Sequence, residues 1–341
     1  MPVSTLRRPL RSWLLAGLCA CLVALGVGVL LGWATWAGWS LASAGQVIEV
    51  EVLPGQGTAE IARAMNAGGV RVPAWAFRAA ARLGAQERSF KPGIYRIDER
   101  LVLRDLMRKL ERGDVLLVEV RLIEGMTWRQ FRAALAGTAG LRLRLPGLDD
   151  AQLMAALGAP GLAPEGQFMP DTYIVPKGSE DLRVLGLARR AMQQRLDAAW
   201  SARAPDLPLA SRDDLLVLAS LIEKETGLPA DRGQVAAVFV NRLRRGMRLQ
   251  TDPSVIYGLG ERFDGRLHRR DLEADGVFNT YRRAGLPPTP ICMPGAAAIT
   301  AAARPAESQA LYFVARGDGS SEFSDTLEAH NRAVARYVLG R

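Results

Sequence analysis

Histidine is nearly absent from this chain: His268 and His330 are the only two in 341 residues. With three cysteines and no Cys-x-x-Cys pair, metal-ligand spacing is missing, so neither a metal nor a cofactor is expected. Cys19 and Cys21 lie in one long apolar run, which leaves Cys292 by itself in the remainder. No intramolecular disulfide is available there, and a core cysteine is the expectation for Cys292. No recognised nucleic-acid-binding module is present either. The net charge of +9 therefore suits an acidic partner or an anionic surface, with no nucleic acid expected.

Charge is wholly absent between Ser12 and Ile48. Trp13 to Trp36 alone, at about 1.5 Å per residue, is long enough to cross the roughly 30 Å hydrocarbon core of a bilayer. Tryptophans sit at both ends of the run, as in interfacial belts, and Arg7, Arg8 and Arg11 all precede it. A single-pass transmembrane helix over residues 12–37 follows, with residues 1–11 cytoplasmic and the rest on the far side. Ala42-Ser43-Ala44 looks like a signal cleavage site. The run is far longer than the roughly 7–15 residues of a signal h-region, which favours an uncleaved anchor.

Beyond the anchor the pattern strand, glycine turn, helix occurs twice. Val50, Val52 and Leu53 lead to Gly55 and then Ile61 and Met65; Val120, Leu122 and Ile123 lead to Gly125 and then Phe131 and Leu135. The offsets from each glycine match, which suggests an internal duplication. Phe90 to Ile97 reads as a turn and a strand, and Leu103 to Leu110 as an amphipathic helix ending near Gly113. The first unit resembles a LysM module, a small fold that holds N-acetylated glycans; a purely structural spacer is the alternative. Residues 136–164, rich in Gly, Ala, Leu and Pro, look linker-like. The expected division is 46–150 for a LysM-like β-α repeat domain and 151–341 for a second domain, with α+β architecture throughout.

In the second domain, Leu215 to Ile222 forms a helix apolar nearly all round, which implies burial. At about 100° per residue, Glu225 falls roughly 60° from Ile222 and borders the buried stripe, while Glu223 falls about 100° to the other side. A carboxyl held against apolar side chains resists ionisation and can carry a proton at neutral pH, as a general acid must. Thr226-Gly227-Leu228-Pro229 ends the helix at Glu225, where a cleft can reach it. The alternative is that both glutamates face solvent or pair with Lys224 and nearby arginines. Downstream, Asp252 before Pro253 reads as a helix start, with Asp252 as the cap. Gln250 and Thr251 have no such local explanation.

Four stretches, "ASLIEKETG", "VFVNRLRRGMRLQTDPSVIYGLG", "NTYRRAGLPPTPI" and "PEGQFMPDTY", together resemble the endolytic transglycosylases of the YceG/MltG family, bacterial inner-membrane enzymes that cut peptidoglycan glycan strands. The resemblance covers most of the chain, including the anchor and the closing Leu311 to Ala315 strand. It implies a mainly helical α+β catalytic domain, periplasmic on a single-pass inner-membrane anchor. It implies Glu225 as the catalytic residue, and Glu223, Asn241, Gln250, Thr251, Asp252, Tyr257, Asn279 and Tyr281 as substrate-binding, joined by Asp171 and Tyr173. Two departures stand out: Ser321-Glu322 precedes Phe323 where the family often has a histidine, and Cys292-Met293 replaces smaller or polar residues.

The implied reaction cleaves the bond between N-acetylmuramic acid and N-acetylglucosamine without water, leaving 1,6-anhydro ends and limiting nascent strand length. One carboxyl suffices for it, whereas glycoside hydrolases generally use two. Glu223 is the alternative: reaching the same cleft it could act as a second carboxylate, although residues two apart on a helix do not face each other. Expected partners are peptidoglycan glycan strands, the membrane and, by resemblance, peptidoglycan synthases. Arg242, Arg244, Arg245, Arg248, Arg269, Arg270, Arg282 and Arg283 suit the carboxylates of peptide stems, or are ordinary solvated surface. The rival function is a noncatalytic, membrane-anchored peptidoglycan-binding scaffold.

Overall fold

A computed structural model describes residues 8–38, 40–83 and 90–340; within the first helix the described side chains are those of residues 16–29 and 32. The expected cytoplasmic start and parts of the expected span Trp13 to Trp36 therefore lie outside the described residues. Helix α1 (Arg8–Ala37) exposes Leu18, Val23 and Leu25. Among the described residues, no helix is long and apolar enough to cross a membrane. The chain is α+β and divides into two compact units, Met1–Leu117 with Pro176–Gly178, and Val118–Val175 with Ser179–Arg341.

The first unit pairs β1 (Ile48–Val52) antiparallel with β2 (Gly93–Ile97), Val50 facing Tyr95. Between the strands run α2 (Thr58–Ala67) and α3 (Ala74–Leu83), and α4 (Leu103–Arg112) follows. Ile48, Val50 and Val52 alternate inward as a half-buried strand requires, and meet Ile61, Met65, Phe77, Leu106 and Leu110 in one core. Helix α4 ends at Gly113 in the left-handed conformation, as its sequence predicts. Leu41 and Ala42 are part of the same core. The Leu41 N–H donates to the Leu101 carbonyl, and its own carbonyl accepts from the Arg71 N–H.

The second unit holds β3 (Leu117–Leu122) paired with β4 (Asp171–Pro176). Around them are α5 (Trp128–Ala136), α6 (Asp150–Ala156) and α7 (Asp181–Ser201). Then come α8 (Arg212–Glu225), α9 (Pro229–Arg244), α10 (Asp252–Leu259), α11 (Arg269–Glu273) and α12 (Ala296–Ala303). The chain closes with a hairpin, β5 (Tyr312–Ala315) and β6 (Ser321–Ser324), and α13 (Leu327–Tyr337). Helix α8 packs against α7, α9, α10 and α12, so every residue from Leu215 to Ile222 is buried. Its start is fixed by a capping box: Ser211 Oγ accepts the Asp214 N–H at 3.1 Å, and Asp214 accepts the Ser211 N–H at 3.2 Å.

The repeated strand-turn-helix pattern holds at the level of backbone geometry. Gly55 and Gly125 both adopt left-handed φ, +81° and +77°, and the cap residues Gly57 and Thr127 share φ −77°, ψ 164°. Each helix then buries its spaced apolar pair completely, Ile61 with Met65 and Phe131 with Leu135. Residues 136–164 depart from the linker-like expectation. Leu145, Leu153 and Met154 are buried in the second unit's core, and the buried carboxylate of Asp181 accepts the N–H groups of Arg144 and Leu145 at 3.0 Å. Glycine and proline there shape tight turns between apolar anchors, and composition does not separate such turns from a flexible link.

The turn just after this stretch carries Gly166 at φ +80°, where an added Cβ would lie 2.5 Å from Cγ of Pro290. Gly166→Ala is expected to cost roughly 2 kcal/mol or more of unfolding free energy, from left-handed strain plus overpacking against a rigid ring. Urea denaturation followed by circular dichroism measures it; an unchanged midpoint would contradict the close approach.

Candidate active site

Glu225 is the last residue of α8, and its half-buried carboxyl accepts a short hydrogen bond from the Thr251 hydroxyl. The helix stops there because Thr226 turns extended and its Oγ1 accepts the Leu228 N–H at 3.0 Å, ahead of Pro229. Burial pushes the Glu225 pKa up; the Thr251 bond and the Arg242 cation oppose this, and the Asp252 charge adds to it. The result is a carboxyl predisposed to hold a proton, at a helix end bordered by polar groups.

The loop that supplies Thr251 is itself strained. Gln250 has φ +50°, the sole left-handed non-glycine among the described residues. Its N–H donates to the Thr280 carbonyl at 3.2 Å, and the Thr251 N–H donates to Thr280 Oγ1 at 3.0 Å. Arg242, buried, donates to the carbonyls of Leu249 at 2.8 Å and Leu311 at 2.6 Å. These bonds hold the backbone so that Thr251 faces Glu225. Arg242 therefore serves the loop through its Nε and Nη1. Asp252 also departs from expectation: Thr251 occupies the cap position of α10, Asp252 is the first helical residue, and its carboxylate accepts the Tyr281 hydroxyl at 2.6 Å.

Glu225, Thr251, Asp252 and Tyr281 thus form one cluster, with Gln250 beside it. Other residues implied by the resemblance are used differently. The Asn241 amide donates to the carbonyls of Ser308 and Ala310 at 2.8 and 3.0 Å. The Asn279 amide donates to those of Asp271, Leu272 and Ala274, and its oxygen accepts the Tyr281 N–H at 3.0 Å. Both asparagines pin backbone. Glu223, half-buried, accepts the Gly295 N–H at 3.0 Å just before α12, which gives it a structural task. Asp171 is exposed at the start of β4, and the Tyr173 hydroxyl donates to the Met169 carbonyl at 2.7 Å. Tyr257 points elsewhere, its hydroxyl donating to Glu165 Oε2 at 3.1 Å.

Glu165 is 7% exposed, and both of its oxygens accept the Trp128 N–H, at 3.0 and 3.1 Å, at the start of α5. Burial pushes its pKa up to about 7 despite these bonds. It borders a cavity of about 710 Å³ lined also by Trp128, Gln130, Lys224, Pro253 and Tyr257. The cavity adjoins the Glu225 cluster along the chain, through Lys224 and Pro253, while Glu225 is not among its lining residues. No group of histidine, cysteine or acidic side chains suited to a metal occurs among the described residues. Cys292 is buried, its Sγ–H directed at the Ser220 carbonyl at 3.4 Å, as expected of a core cysteine.

A family model described as the YceG-like family matches residues 50–336. The chain belongs to the YceG-like family. It is 31% identical over 270 residues to a Bacillus subtilis protein named endolytic murein transglycosylase, covering 74% of each chain. Two Streptococcus pneumoniae proteins of the same name are 27% identical over 283 residues, and the chain spans 51% of their length. A crystal structure of a YceG-like protein from Listeria monocytogenes superposes with a TM-score of 0.52 at 28% identity, covering 84% of this chain and 99% of that one.

In this YceG-like chain, sequence reasoning singles out Asp171 and Tyr173 from "PEGQFMPDTY" and passes over Glu165. A glutamate between Pro164 and Gly166 reads as a solvated turn residue. Its burial comes from α5 and α10, neither of which is local. Because the folded protein holds a Glu165 proton more tightly than the unfolded chain does, the contribution of this group to stability is full below pH 4.5 and is lost as pH rises through about 7. The shift corresponds to about 3 kcal/mol. Glu165→Gln is expected to flatten the fall in unfolding free energy between pH 4.5 and 8 by about that amount. Denaturant titrations at fixed pH test this; parallel curves for variant and parent would rule it out.

Proposed function

We propose that this chain is an endolytic lytic transglycosylase that cleaves N-acetylmuramic acid to N-acetylglucosamine bonds within peptidoglycan strands, with Glu225 as acid and then base. The observation that carries the reading is the Glu225 carboxyl, half-buried at the end of an apolar helix and held by Thr251. The relatives named endolytic murein transglycosylase point the same way. Protonated Glu225 donates to the leaving oxygen as the glycosidic bond breaks. The resulting carboxylate takes the proton from the muramoyl C6 hydroxyl, whose oxygen closes on C1 and leaves a 1,6-anhydro end. That hydroxyl belongs to the same sugar, so its attack gains from proximity and needs no positioned water. The Thr251 hydroxyl stabilises the carboxylate once it forms, which keeps the proton transferable.

The protein acts from the bacterial inner membrane, with residues 12–37 as a single-pass anchor, the N-terminus cytoplasmic and the remainder periplasmic. The uncharged stretch from Ser12 to Ile48 supports this. Leu41 and Ala42 belong to the core of the first unit, which supports an uncleaved anchor, since cutting after Ala44 would remove them. The first unit is a LysM-like glycan-binding module, the second carries catalysis, and cleavage limits nascent strand length beside peptidoglycan synthases.

Glu225→Gln is expected to lower formation of anhydro-ended fragments from purified peptidoglycan by at least about 10²-fold. Glu223→Gln, which keeps an acceptor for the Gly295 N–H, should only weaken it. Mass spectrometry of the digests decides: equal loss in both variants, or full activity in the first, refutes the assignment. A noncatalytic scaffold would yield no such fragments from the parent protein. Thr251→Val removes the bond that lowers the Glu225 pKa, so the alkaline limb of the rate profile, where the acid loses its proton, should move to higher pH. A limb that stays in place or moves down would deny Thr251 this role.

A further inference from the structure

Arg242 holds the loop that presents Thr251 to Glu225, yet it is itself a buried charge. The residue is 7% exposed, and burial disfavours its cation. A guanidinium is matched best by a carboxylate. Among the described residues its bonds go instead to neutral oxygens, the carbonyls of Leu311, Leu249 and Arg248 and the side chain of Gln250. What faces the cation is an aromatic ring. The guanidinium carbon lies 5.3 Å from the centroid of Tyr312, inside the roughly 6 Å of a cation–π contact. Tyr312 opens β5, directly after the Leu311 whose carbonyl accepts Arg242 Nε. Its ring also stacks with the His330 imidazole of α13, at 5.2 Å and 22° between the planes. Burial and then the Arg242 charge hold the His330 pKa below its usual value, so that ring is neutral at pH 7 and adds no second cation.

We propose that Tyr312 is a positioning residue for the proposed acid: its ring face holds the Arg242 guanidinium, and Arg242 in turn holds Gln250 and Thr251 against Glu225. The inference rests on the reading of Glu225 as the acid of strand cleavage, and it ties the closing hairpin and α13 to that reaction. A carboxylate in place of the ring would also compensate Arg242, but its charge would push the Glu225 pKa further up. The ring face supplies negative potential without net charge, so the pull of Arg242 on the Glu225 proton is kept. Asp252 and Tyr281, bonded to each other, also act on Glu225 electrostatically, and the substitutions that test the proposal leave both in place.

A hairpin contact that only stabilised the fold would leave the acid's titration alone, so the test reads Glu225 directly. Full-length protein in detergent micelles, labelled with carbon-13 at glutamate carboxyls, is titrated by NMR, the Glu225 signal being the one lost in Glu225→Gln. Tyr312→Leu removes the ring face and should raise the Glu225 midpoint by about half a pH unit or more, because the Thr251 bond and the Arg242 charge both lower it. The alkaline limb of kcat on peptidoglycan should rise with it, and Tyr312→Phe, which keeps the face, should rescue both. In a Thr251→Val background Tyr312→Leu should add less than half of that shift, since the two act in one chain. Fluorinated phenylalanines placed at position 312 by nonsense suppression keep the ring's shape and should raise the midpoint stepwise as fluorine drains the face, which covers a Tyr312→Leu protein that does not fold. A midpoint indifferent to fluorination, or unmoved or lowered in folded Tyr312→Leu, overturns the proposal, as does full additivity with Thr251→Val. Peptidoglycan left uncut by the parent while the midpoint still follows the ring would sink the cleavage reading and leave the positioning role standing.

Discussion

The contact between the Thr251 hydroxyl and the Glu225 carboxyl joins two parts of the chain that are built on opposite physical terms. Helix α8 is buried on all sides by α7, α9, α10 and α12, so Glu225 emerges from it in a fixed position. Thr251 comes from a loop with a left-handed glutamine, held in place by the buried guanidinium of Arg242 and the backbone and hydroxyl of Thr280. Left-handed backbone at a non-glycine costs of order 1–3 kcal/mol and persists only where the surroundings over-determine it. Here the surroundings do, and the strain is spent on aiming one hydroxyl at one carboxyl.

The same balance sets the character of the proposed acid. Desolvation favours the protonated carboxyl, while the Thr251 bond and the Arg242 charge favour the carboxylate. A group that must first give a proton and then take one gains from neither extreme. Glu223, two residues earlier, shows what the position would be without that setting. Its carboxylate accepts the Gly295 N–H before α12 and so serves the fold. Asn241, Asn279 and Arg242 likewise spend their polar groups on carbonyls of the chain. Several residues that a motif comparison groups with the cleft thus also fasten the backbone around it.

The helices and strands were legible in the amino-acid order because periodicity and stop signals agreed locally. Alternation in β1, the glycine end of α4, the apolar run of α8 and its termination at Thr226 each follow from residues within a few positions of one another. Glu225 was legible too, since a helix that is apolar all round must be buried, and a carboxyl at its end inherits that burial. The stretch 136–164 misled because turn residues dominate its composition, while its buried apolar anchors, among them Leu145, the pair Leu153 and Met154, and Ala159, are few.

What the sequence determined by itself was therefore the family, the order of the elements and the burial of the Glu225 carboxyl proposed as the acid. Only the tertiary structure decided which polar residues face the acid and which fasten backbone, because a hydrogen bond depends on atoms brought within about 3 Å from distant parts of the chain. Glu165 shows this most plainly. In the sequence it is a turn glutamate, and it becomes a buried carboxyl with a raised pKa beside a cavity only when α5 and α10 close around it.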